Sequence, residues 1–313
     1  MKIVFLDAKT IGEDIDLSGF DALGEVVKYG FSTAQEARER SKDADVLILN
    51  KVQVNEQTIG EADHLKLVCV TATGTNNLDK EYLDKRGITW RNVAGYSTES
   101  VAQHTFAMLF YLLEKLPYYD NYVKSEKYVN DVSFTHFAKA FHELSGMTYG
   151  IIGLGNIGRR VADIAKAFGC RVIYYSTSGR NSQPGYERVS FDELLEQSDI
   201  VSIHAPLDEN TLGLMNKEAF AKMKKSAILL NVGRGPIINE ADLAEALNNK
   251  TIASAGLDVV SGEPMQEDNP LRGIKDSERL LITPHIAWAG VEARNRLMGI
   301  ILGQIKEFFK AHE

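Results

Sequence analysis

Three chemically reactive side chains follow three separate apolar runs in the second half of the chain. Arg234 lies in NVGRGP, Glu263 in GLDVVSGEP and His285 in LITPHIAWAG. A guanidinium can hold a carboxylate with two hydrogen bonds, an imidazolium can give a proton to a carbonyl oxygen, and a neighbouring carboxylate orients that imidazole and favours its protonated form. The three residues are therefore predicted to form a catalytic centre that reduces a 2-oxo acid.

The separation of these residues in sequence requires a fold that brings distant strands together. Glu263 follows Arg234 by 29 residues and precedes His285 by 22. In a parallel sheet the carboxyl ends of the strands gather at one edge, so residues that follow different strands can face one cleft. We therefore expect a parallel sheet in this part of the chain.

A glycine-rich run, GLGNIG from Gly153 to Gly158, lies between a strand pattern, YGII, and an amphipathic helix pattern, RRVADIAKAF. Strand, glycines and helix in this order are typical of dinucleotide-binding units. We expect Gly153 to permit a tight turn, Gly155 to let the backbone approach a pyrophosphate, and Gly158 to let helix and strand pack closely. Asn156 and Ile157, which lie between the second and third glycines, are predicted to contact the cofactor as well.

The stretch VIYYSTSGRN, residues 172–181, bears on the choice between NAD and NADP. An acidic residue normally follows the glycines by about 20 positions and binds the ribose of NAD. Ser176 stands there instead, and Thr177 and Arg180 add a hydroxyl and a cation that would suit the 2′-phosphate of NADP. The alternative is that Arg180 is a solvated loop charge and NADH binds through the rest of the site, so both cofactors stay open.

Composition and charge exclude several classes of protein. The chain has 313 residues, with 44% apolar and 25% charged residues, as in ordinary soluble globular proteins of two domains. A net charge of −8 without a basic block argues against nucleic acid as a partner. No run approaches the roughly 18 apolar residues of a membrane span, and the apolar start is too short for a signal peptide, so we expect a cytoplasmic protein without a membrane partner.

Neither cysteines nor histidines predict a metal site. Cys69 and Cys170 lie in apolar runs and are expected to be small buried residues. The seven histidines show no ligand spacing. Five of them carry no motif and are expected to be structural or surface residues: His64, His104, His136, His142 and His312.

Apolar runs alternate with helical patterns along the whole chain, which predicts an α/β fold of two doubly wound parallel sheets. The fold class expected is a Rossmann NAD(P)-binding domain and a flavodoxin-like substrate domain with a cleft between them. The predicted strands are KIVFLDA, DVLILN, KLVCVT and GITW in a first set, then YGIIGLG, RVIYY, DIVSIHA, AILLNVG, SAGLDVV and RLLITP in a second.

Two helices define the predicted domain boundaries. An apolar helix from Ser97 to Leu116, ended by Pro117, should cross from the first strand set to the second, and an amphipathic helix over residues 291–310 should return to the first. We therefore expect a discontinuous substrate domain, residues 1–98 and 288–313, and a dinucleotide-binding domain, residues 99–287.

Together these motifs resemble the D-isomer-specific 2-hydroxyacid dehydrogenases over essentially the whole chain. ELSGMTYGIIGLGNIG, DELLEQSDIVSIHAPLDENT and MKKSAILLNVGRGPIINEADLAEAL follow the family pattern in order and spacing. The resemblance implies that Arg234 anchors the substrate carboxylate and carbonyl, that His285 donates and accepts the proton, and that Glu263 is its partner. It also implies that backbone N–H groups around Thr73 and Gly74, in TATGTNNLD, hold the substrate carboxylate.

The resemblance also assigns cofactor contacts. Asp258 should lie near the nicotinamide carboxamide. The cleft for the dinucleotide should be lined by Val101, Thr105, His204, Ala205, Pro206 and Thr211. Two residues depart from the family pattern: Gln103 replaces a glutamate, and Ser176 replaces the ribose-binding acid. Because the family is usually dimeric, a homodimer is expected.

The choice of substrate is the least specific part of the resemblance. NVAGYSTESVAQHTFAMLF and TPHIAWAGVEARNRL look most like the glycerate dehydrogenase or hydroxypyruvate reductase branch. This implies reduction of a small 2-oxo acid, hydroxypyruvate or glyoxylate, in a pocket whose size could depend on Lys51, Tyr96 and Trp288. The alternatives are bulkier branched or aromatic 2-oxo acids, oxidation of formate or phosphite, and a nucleotide-sensing role similar to that of the corepressors related to this family.

Overall fold

The computed structural model describes residues 1–180 and 182–311, and the chain forms two compact units. The first unit comprises Met1–Ser97 and Ala289–Glu313, and the second comprises Thr98–Trp288. The assignment of a substrate domain to residues 1–98 and 288–313 and of a dinucleotide-binding domain to residues 99–287 stays a prediction. Asn181 and His312, which belong to the stretches discussed above, lie outside the described residues.

The first unit is built on a five-stranded parallel sheet with the strand order β2-β1-β3-β4-β5. Its strands are β1 (Lys2–Phe5), β2 (Glu25–Lys28), β3 (Val46–Leu49), β4 (Leu67–Val70) and β5 (Thr89–Arg91). Its first three helices are α1 (Ala34–Ser41), α2 (Glu56–Ile59) and α3 (Lys80–Arg86). Every residue of β3 and β4 is buried, which explains their continuous apolar sequences.

The second unit is built on a seven-stranded parallel sheet with the strand order β12-β11-β10-β9-β6-β7-β8. Its strands are β6 (Thr148–Ile152), β7 (Arg171–Tyr175), β8 (Glu187–Arg188), β9 (Ile200–Ile203), β10 (Ile228–Asn231), β11 (Ser254–Leu257) and β12 (Leu280–Ile282). Its helices are α4 (Thr98–Leu113), α5 (Leu116–Lys124), α6 (Asn156–Ala167), α7 (Phe191–Gln197), α8 (Lys217–Lys222) and α9 (Glu240–Asn248). Two hydrophobic clusters pack on the sheet, and α4 and α6 contribute to one of them.

This architecture confirms the predicted class of two parallel α/β sheets. Ten of the twelve strands in the described residues overlap the predicted runs, and β2 and β8 were missed. Both missed strands lie at an edge of their sheet. Because an edge strand is only partly covered, it needs no apolar run, and the short sequences EVVK and ER carry too little pattern to be recognised.

The prediction that the helix beginning at Ser97 ends at Leu116 was wrong. Helix α4 ends at Leu113, Lys115 adopts a left-handed φ of 55°, and Pro117 lies in the first turn of α5. Proline has no N–H to donate and a fixed φ that suits the first turn of a helix. Pro117 therefore begins the second helix and does not end the first.

The C-terminal helix α10 (Val291–Lys310) belongs to the first unit. Its side chains of Leu297, Ile301, Ile305 and Phe308 are buried as the periodicity predicts. The amide of Gln304 donates to the carbonyl oxygen of Asn92 at 3.0 Å, which ties the helix to the first unit. The first unit is therefore discontinuous in sequence.

The two cysteines behave as buried apolar residues. Cys69 and Cys170 are free thiols. Burial raises the pKa of Cys69 to about 12 and that of Cys170 to about 11, so neither forms a thiolate near neutral pH. Among the residues described, no helix has the length and apolar character to cross a membrane. The cytoplasmic location stays a prediction.

Candidate active site

One edge of the seven-stranded sheet places most of the predicted site residues in a row. The strand ends Tyr175, Ile152, Ile203, Asn231, Leu257 and Ile282 are partners of one another across neighbouring strands. Just beyond these ends follow Ser176, the glycine-rich run, His204, Arg234, Asp258 and His285. The sheet therefore brings to one edge residues that more than a hundred positions separate in sequence.

The three glycines of the run meet three different spatial demands. Gly153 has a φ of 90°, and a Cβ there would lie 2.9 Å from the backbone of Ala205. A Cβ at Gly158 would lie 2.3 Å from the carbonyl oxygen of Gly153, whereas one at Gly155 would meet nothing within 4 Å. The first and third glycines are thus required by the turn and the packing, while Gly155 borders open space that a ligand can occupy.

The N-terminus of α6 adjoins that space. Gly155 is its N-cap, no side chain caps it, and no acidic residue lies in its first turn. Gly155 and Asn156 are exposed and Ile157 is half-buried. Because the first N–H groups of a helix have no partner within it and carry its positive dipole end, this cradle suits a pyrophosphate.

Beyond β7 the backbone makes a turn in which the N–H of Gly179 donates to the carbonyl oxygen of Ser176 at 3.1 Å. Ser176 is 3% exposed, Thr177 is half-buried and Arg180 is exposed. Within residues 1–180 and 182–311, no carboxylate pairs with the guanidinium of Arg180. The turn therefore offers a cation where the sequence lacks the usual acid.

Beyond β9 lies a histidine that cannot carry charge near neutral pH. The Nε2 atom of His204 lies 2.9 Å from Oγ of Ser202, and burial lowers the pKa of its imidazole to about 3. Ala205 is buried beside Gly153, and Pro206 is exposed. Thr211 is fully buried, and its hydroxyl donates to the carbonyl oxygen of Pro206 at 2.7 Å.

Val101 and Thr105 occupy buried positions on α4. Val101 is 5% exposed, and Thr105 has no exposed surface. The hydroxyl of Thr105 donates to the carbonyl oxygen of Val101 at 2.8 Å, so it is used inside the helix. The assignment of these two residues to a dinucleotide cleft stays a prediction, as does that of Thr211.

The predicted histidine and glutamate lie in direct contact. Nδ1 of His285 lies 2.7 Å from Oε2 of Glu263, and the two side chains are 27% and 32% exposed. The other glutamate oxygen accepts the N–H of Val260 at 3.3 Å. Among the described residues Nε2 of His285 has no hydrogen-bond partner. The carboxylate therefore orients the ring through Nδ1 and leaves Nε2 available to a ligand.

Arg234 follows β10 in a loop that Asn231 organises. The side-chain amide of Asn231 donates to the carbonyl oxygen of Arg234 at 2.9 Å, and its oxygen accepts the N–H of Gly233 at 3.0 Å. Nη1 of Arg234 donates to the carbonyl oxygen of Gly233 at 2.7 Å. No carboxylate in the described part of the chain forms an ion pair with this guanidinium. It can therefore bind an external anion.

Asp258 has a larger structural role than the sequence indicated. It is 1% exposed, and one carboxylate oxygen accepts the hydroxyl of Thr283 at 2.6 Å and the N–H of Ile286 at 2.9 Å. The second oxygen accepts the N–H of Ala287 at 2.9 Å. The carbonyl oxygen of Asp258 accepts the N–H of His285 at 2.8 Å. This residue therefore fixes the backbone on both sides of His285.

Two further residues, which support the loops that carry Arg234 and Glu263, were not predicted from the sequence. A Cβ at Gly235 would lie 2.1 Å from the carbonyl carbon of Val260, so the Arg234 loop packs directly on the segment that leads to Glu263. Glu240 is 8% exposed and accepts the N–H of Ser261 at 2.6 Å. The second glycine of NVGRGP was the available signal for Gly235, and a lone glutamate at a helix start provides none for Glu240.

The predicted substrate loop lies in the first unit, after β4. The hydroxyl of Thr73 donates to the carbonyl oxygen of Val93 at 3.0 Å, and the amide of Asn77 donates to the carbonyl oxygen of Val52 at 2.9 Å. Thr73 is exposed and Gly74 is half-buried. Across the described residues, the N–H groups of Thr73 and Gly74 have no partner. The loop is held by its side chains while these two donors stay available.

Comparison with known proteins agrees with this geometry. A hydroxypyruvate reductase from Blautia hydrogenotrophica is 39% identical, over 99% of this chain and 97% of the relative. The D-lactate dehydrogenase of Aquifex aeolicus, solved with NAD and lactic acid, superposes with a TM-score of 0.84 at 27% identity over 99% of this chain and 96% of that one. An acyclic imino acid reductase solved with NADPH and D-arginine has a TM-score of 0.87 at 28% identity, over 99% and 98%.

The second unit identifies the family of the chain. The NAD-binding domain of the D-isomer-specific 2-hydroxyacid dehydrogenases matches residues 106–287, which include the glycine-rich run, Arg234, Asp258, Glu263 and His285. The chain therefore belongs to the D-isomer-specific 2-hydroxyacid dehydrogenase family and is an oxidoreductase that acts on 2-hydroxy acids.

Proposed function

We propose that the protein reduces a small 2-oxo acid, hydroxypyruvate or glyoxylate, to the D-2-hydroxy acid. The observation that carries this proposal is the 2.7 Å contact between Nδ1 of His285 and Oε2 of Glu263, at the same sheet edge as the glycine-rich run. The 39% identity to a hydroxypyruvate reductase supports the choice of substrate. Bulkier 2-oxo acids would use the same chemistry and are distinguished by assay.

His285 supplies the proton in this proposal. Glu263 stabilises the imidazolium form, and the proton on Nε2 passes to the carbonyl oxygen of the substrate as that oxygen gains negative charge. Arg234 holds the substrate carboxylate through two hydrogen bonds, which fixes the carbonyl carbon in one orientation. In the first unit, the N–H groups of Thr73 and Gly74 are proposed as donors to a substrate carboxylate.

A bound nicotinamide cofactor would supply the hydride that adds to C2 of the substrate. The open space at Gly155 and the uncapped N-terminus of α6 fit its pyrophosphate. The residues proposed to hold the dinucleotide are Val101, Thr105, Gly153, Gly155, Asn156, Ile157, Gly158, Ser176, Thr177, Arg180, His204, Ala205, Pro206, Thr211 and Asp258.

We propose that this site accepts NADPH. Ser176 does not repel a 2′-phosphate, and the exposed guanidinium of Arg180 can pair with one. One structural neighbour holds NADPH and another holds NAD, so the fold is compatible with either. An Arg180→Ala variant should lower the ratio of NADPH to NADH turnover. An unchanged ratio would remove Arg180 from the explanation.

The proposed reaction is tested by initial rates of NADH and NADPH oxidation with hydroxypyruvate, glyoxylate, pyruvate and bulkier 2-oxo acids. Hydroxypyruvate or glyoxylate should be reduced fastest, and His285→Gln should lower kcat by about 100- to 10,000-fold. His64→Gln, at an exposed position of the first unit, is the matched control. Turnover only of bulky acids would change the substrate, and no turnover of any acid would overturn the proposal.

We also propose that the protein forms a homodimer through residues 116–141. Val132, Phe134 and Phe137 in this segment are 103%, 89% and 86% exposed. Stacking of Tyr122 on His136, with ring centroids 3.8 Å apart, holds the segment in place while these apolar side chains face outward. A large exposed apolar patch is typical of a protein interface. Light scattering after size exclusion should show a dimer, and a double variant Phe134→Ser, Phe137→Ser should shift it to the monomer.

A further inference from the structure

The loop Thr283–Ala287, called the histidine loop below, holds His285 in a backbone conformation that needs support. The φ of His285 is 56°, in the left-handed region that residues with a Cβ rarely adopt. Such conformations persist only where surrounding contacts determine them. The contacts of this loop therefore bear on function, because they determine the position of the His285 imidazole.

The first set of contacts comes from Asp258, at the end of β11. Its two carboxylate oxygens accept the hydroxyl of Thr283 and the N–H groups of Ile286 and Ala287. These bonds fix the residues on either side of His285. Other groups also contact Thr283 and Ala287, the two ends of the loop.

The second set of contacts comes from α4. Oγ of Ser100 donates to the carbonyl oxygen of Ala287 at 2.6 Å, and Nε2 of His104 lies 3.0 Å from Oγ1 of Thr283. Ser100 and His104 are four residues apart, so they lie on one face of the helix, one turn from each other. Together they contact the first and the last residue of the histidine loop.

The hydrogen-bond direction at Thr283 can be assigned. Its hydroxyl proton is donated to Oδ1 of Asp258, so its oxygen can only accept from His104. His104 must therefore carry a proton on Nε2, which also lies 3.5 Å from Oδ1 of Asp258. The donor on His104 thus completes a chain of hydrogen bonds from α4 through Thr283 to Asp258.

We infer that Ser100 and His104 act as a clamp that positions His285 for proton transfer. The inference rests on the proposed function, because it assigns the two residues to the work of His285. Both are positioning residues: they hold the histidine loop at its two ends and leave Nε2 of His285 to the substrate. From the sequence His104 was expected to be a structural or surface residue, and Ser100 carried no assignment.

The clamp predicts a specific kinetic signature. Loss of the His104 donor leaves Arg234, which is proposed to bind the substrate carboxylate, unchanged. KM for the 2-oxo acid should therefore change little. A displaced imidazole should lower kcat, by about 10- to 100-fold for a shift on the order of 1 Å. His104→Gln keeps an N–H donor on a side chain of similar reach and should recover most of the loss.

The experiment compares His104→Leu, His104→Gln, Ser100→Ala and the double variant Ser100→Ala, His104→Leu. The matched control is Gln103→Leu, an exposed position on the same helix. Steady-state rates are measured with the 2-oxo acid that the wild-type protein reduces fastest, and hydrogen exchange is followed in the peptide that contains residues 283–287. We expect lower kcat, unchanged KM and faster exchange in this peptide for His104→Leu, a stronger effect in the double variant, and near wild-type values for His104→Gln and Gln103→Leu.

Failure of the clamp and failure of the proposed function give different results. If His285→Gln abolishes turnover while His104→Leu and Ser100→Ala match Gln103→Leu in kcat and exchange, the clamp is wrong and the proposed function stands. If the wild-type protein reduces no 2-oxo acid, the proposed function is wrong, and unchanged exchange in both variants would also remove the clamp. If His104→Leu does not fold, Ser100→Ala and His104→Gln decide: equal kcat in Ser100→Ala and the control overturns the inference.

Discussion

The two sheets of this protein use the same device at their carboxyl edges but hold different loops with it. In the first unit Asp7, just beyond β1, is 4% exposed and accepts the N–H groups of Asn50, Lys51 and Val52, beyond the neighbouring strand β3. In the second unit Asp258, just beyond β11, binds the loop beyond the neighbouring strand β12 in the same way.

The difference lies in which side chains hold each loop. The oxygen Oδ2 of Asp7 accepts all three N–H groups of its loop, and Oδ1 accepts the N–H of Asn50 as well. The side-chain amide of Asn77 also donates to two carbonyl oxygens of this loop. Asp258 needs both of its oxygens, and helix α4 adds two further contacts to the loop with Ser100 and His104. The loop beyond β3 is thus held by a carboxylate and one amide side chain, whereas the loop that presents the strained histidine is held by a carboxylate and two side chains of helix α4.

The largest expected effect follows from replacing Asp258. In Asp258→Asn an amide NH2 group replaces one carboxylate oxygen and faces donors of the histidine loop, either the Thr283 hydroxyl and the Ile286 N–H or the N–H of Ala287. These buried donors then have no acceptor. We expect the free energy of unfolding to fall by about 2 to 4 kcal/mol, and kcat to fall on the order of 100-fold because the histidine loop shifts. Urea unfolding and steady-state rates measure both. Retention of wild-type stability and kcat would contradict the role given to this carboxylate.

Acidification should lower the stability of the protein through His204, which lies just beyond β9. Its folded-state pKa of about 3 lies below the unfolded value of 6.5, so the unfolded chain takes up protons first as the pH falls. The stabilisation from the neutral imidazole is complete above about pH 6.5 and is lost as the pH falls toward 3. At pH 5 the wild-type protein should have lost about 2 kcal/mol that a His204→Gln variant does not lose.

The measurement is urea unfolding of both proteins at pH 7.5 and pH 5. The change with pH in each protein includes many carboxylates, but the difference between the two proteins isolates His204. Parallel loss of stability in wild type and His204→Gln would show that this imidazole does not stay neutral in the folded state.

A smaller effect is expected at Asp7. In Asp7→Asn the amide oxygen can take the place of Oδ2 and accept all three N–H groups of the loop. Only the second bond of Asn50, to Oδ1, is then lost, so the free energy of unfolding should fall by only about 1 kcal/mol. The comparison of Asp7→Asn with Asp258→Asn in the same unfolding assay tests whether two oxygens are required in one unit and one in the other. Equal losses would remove that distinction.

The pH dependence of the Asp7 variant provides its control. Burial raises the pKa of Asp7, although the N–H groups of Lys51, Asn50 and Val52 lower it. The wild-type protein should therefore gain stability relative to Asp7→Asn as the pH falls through that raised pKa, opposite in sign to the effect at His204. A relative loss at low pH would contradict this assignment.

The smallest effect on stability is expected at Gly155. A Cβ there meets nothing within 4 Å and the residue has a negative φ, so Gly155→Ala should leave the unfolding midpoint within about 0.5 kcal/mol of wild type. It should raise KM for the dinucleotide because the methyl group occupies the space beside the helix N-terminus. Gly158→Ala is the matched contrast: its Cβ would meet the carbonyl oxygen of Gly153 at 2.3 Å, so stability itself should fall. Unchanged dinucleotide KM in Gly155→Ala would argue against a pyrophosphate at this place.

The sequence by itself determined the fold class, the order of ten of the twelve described strands and the residues that can do chemistry. Continuous apolar runs such as VLIL and LVCV specify doubly covered strands, and the pattern GLGNIG between strand and helix specifies a tight dinucleotide-binding turn. Leu297, Ile301, Ile305 and Phe308 likewise specify the buried face of α10. These signals are local, since they depend on side-chain periodicity over one element.

Only the tertiary structure decided the contacts that hold those residues in place. Edge strands β2 and β8, the end of α4 at Leu113, the packing of Gly235 on Val260 and the bonds of Ser100 and His104 to the histidine loop carry no local pattern. The last two bonds join residues 187 and 179 positions apart. A hydrogen bond of this kind depends on where whole strands and helices lie. Neither the spacing nor the type of its residues predicts it, and it forms only once the chain has folded.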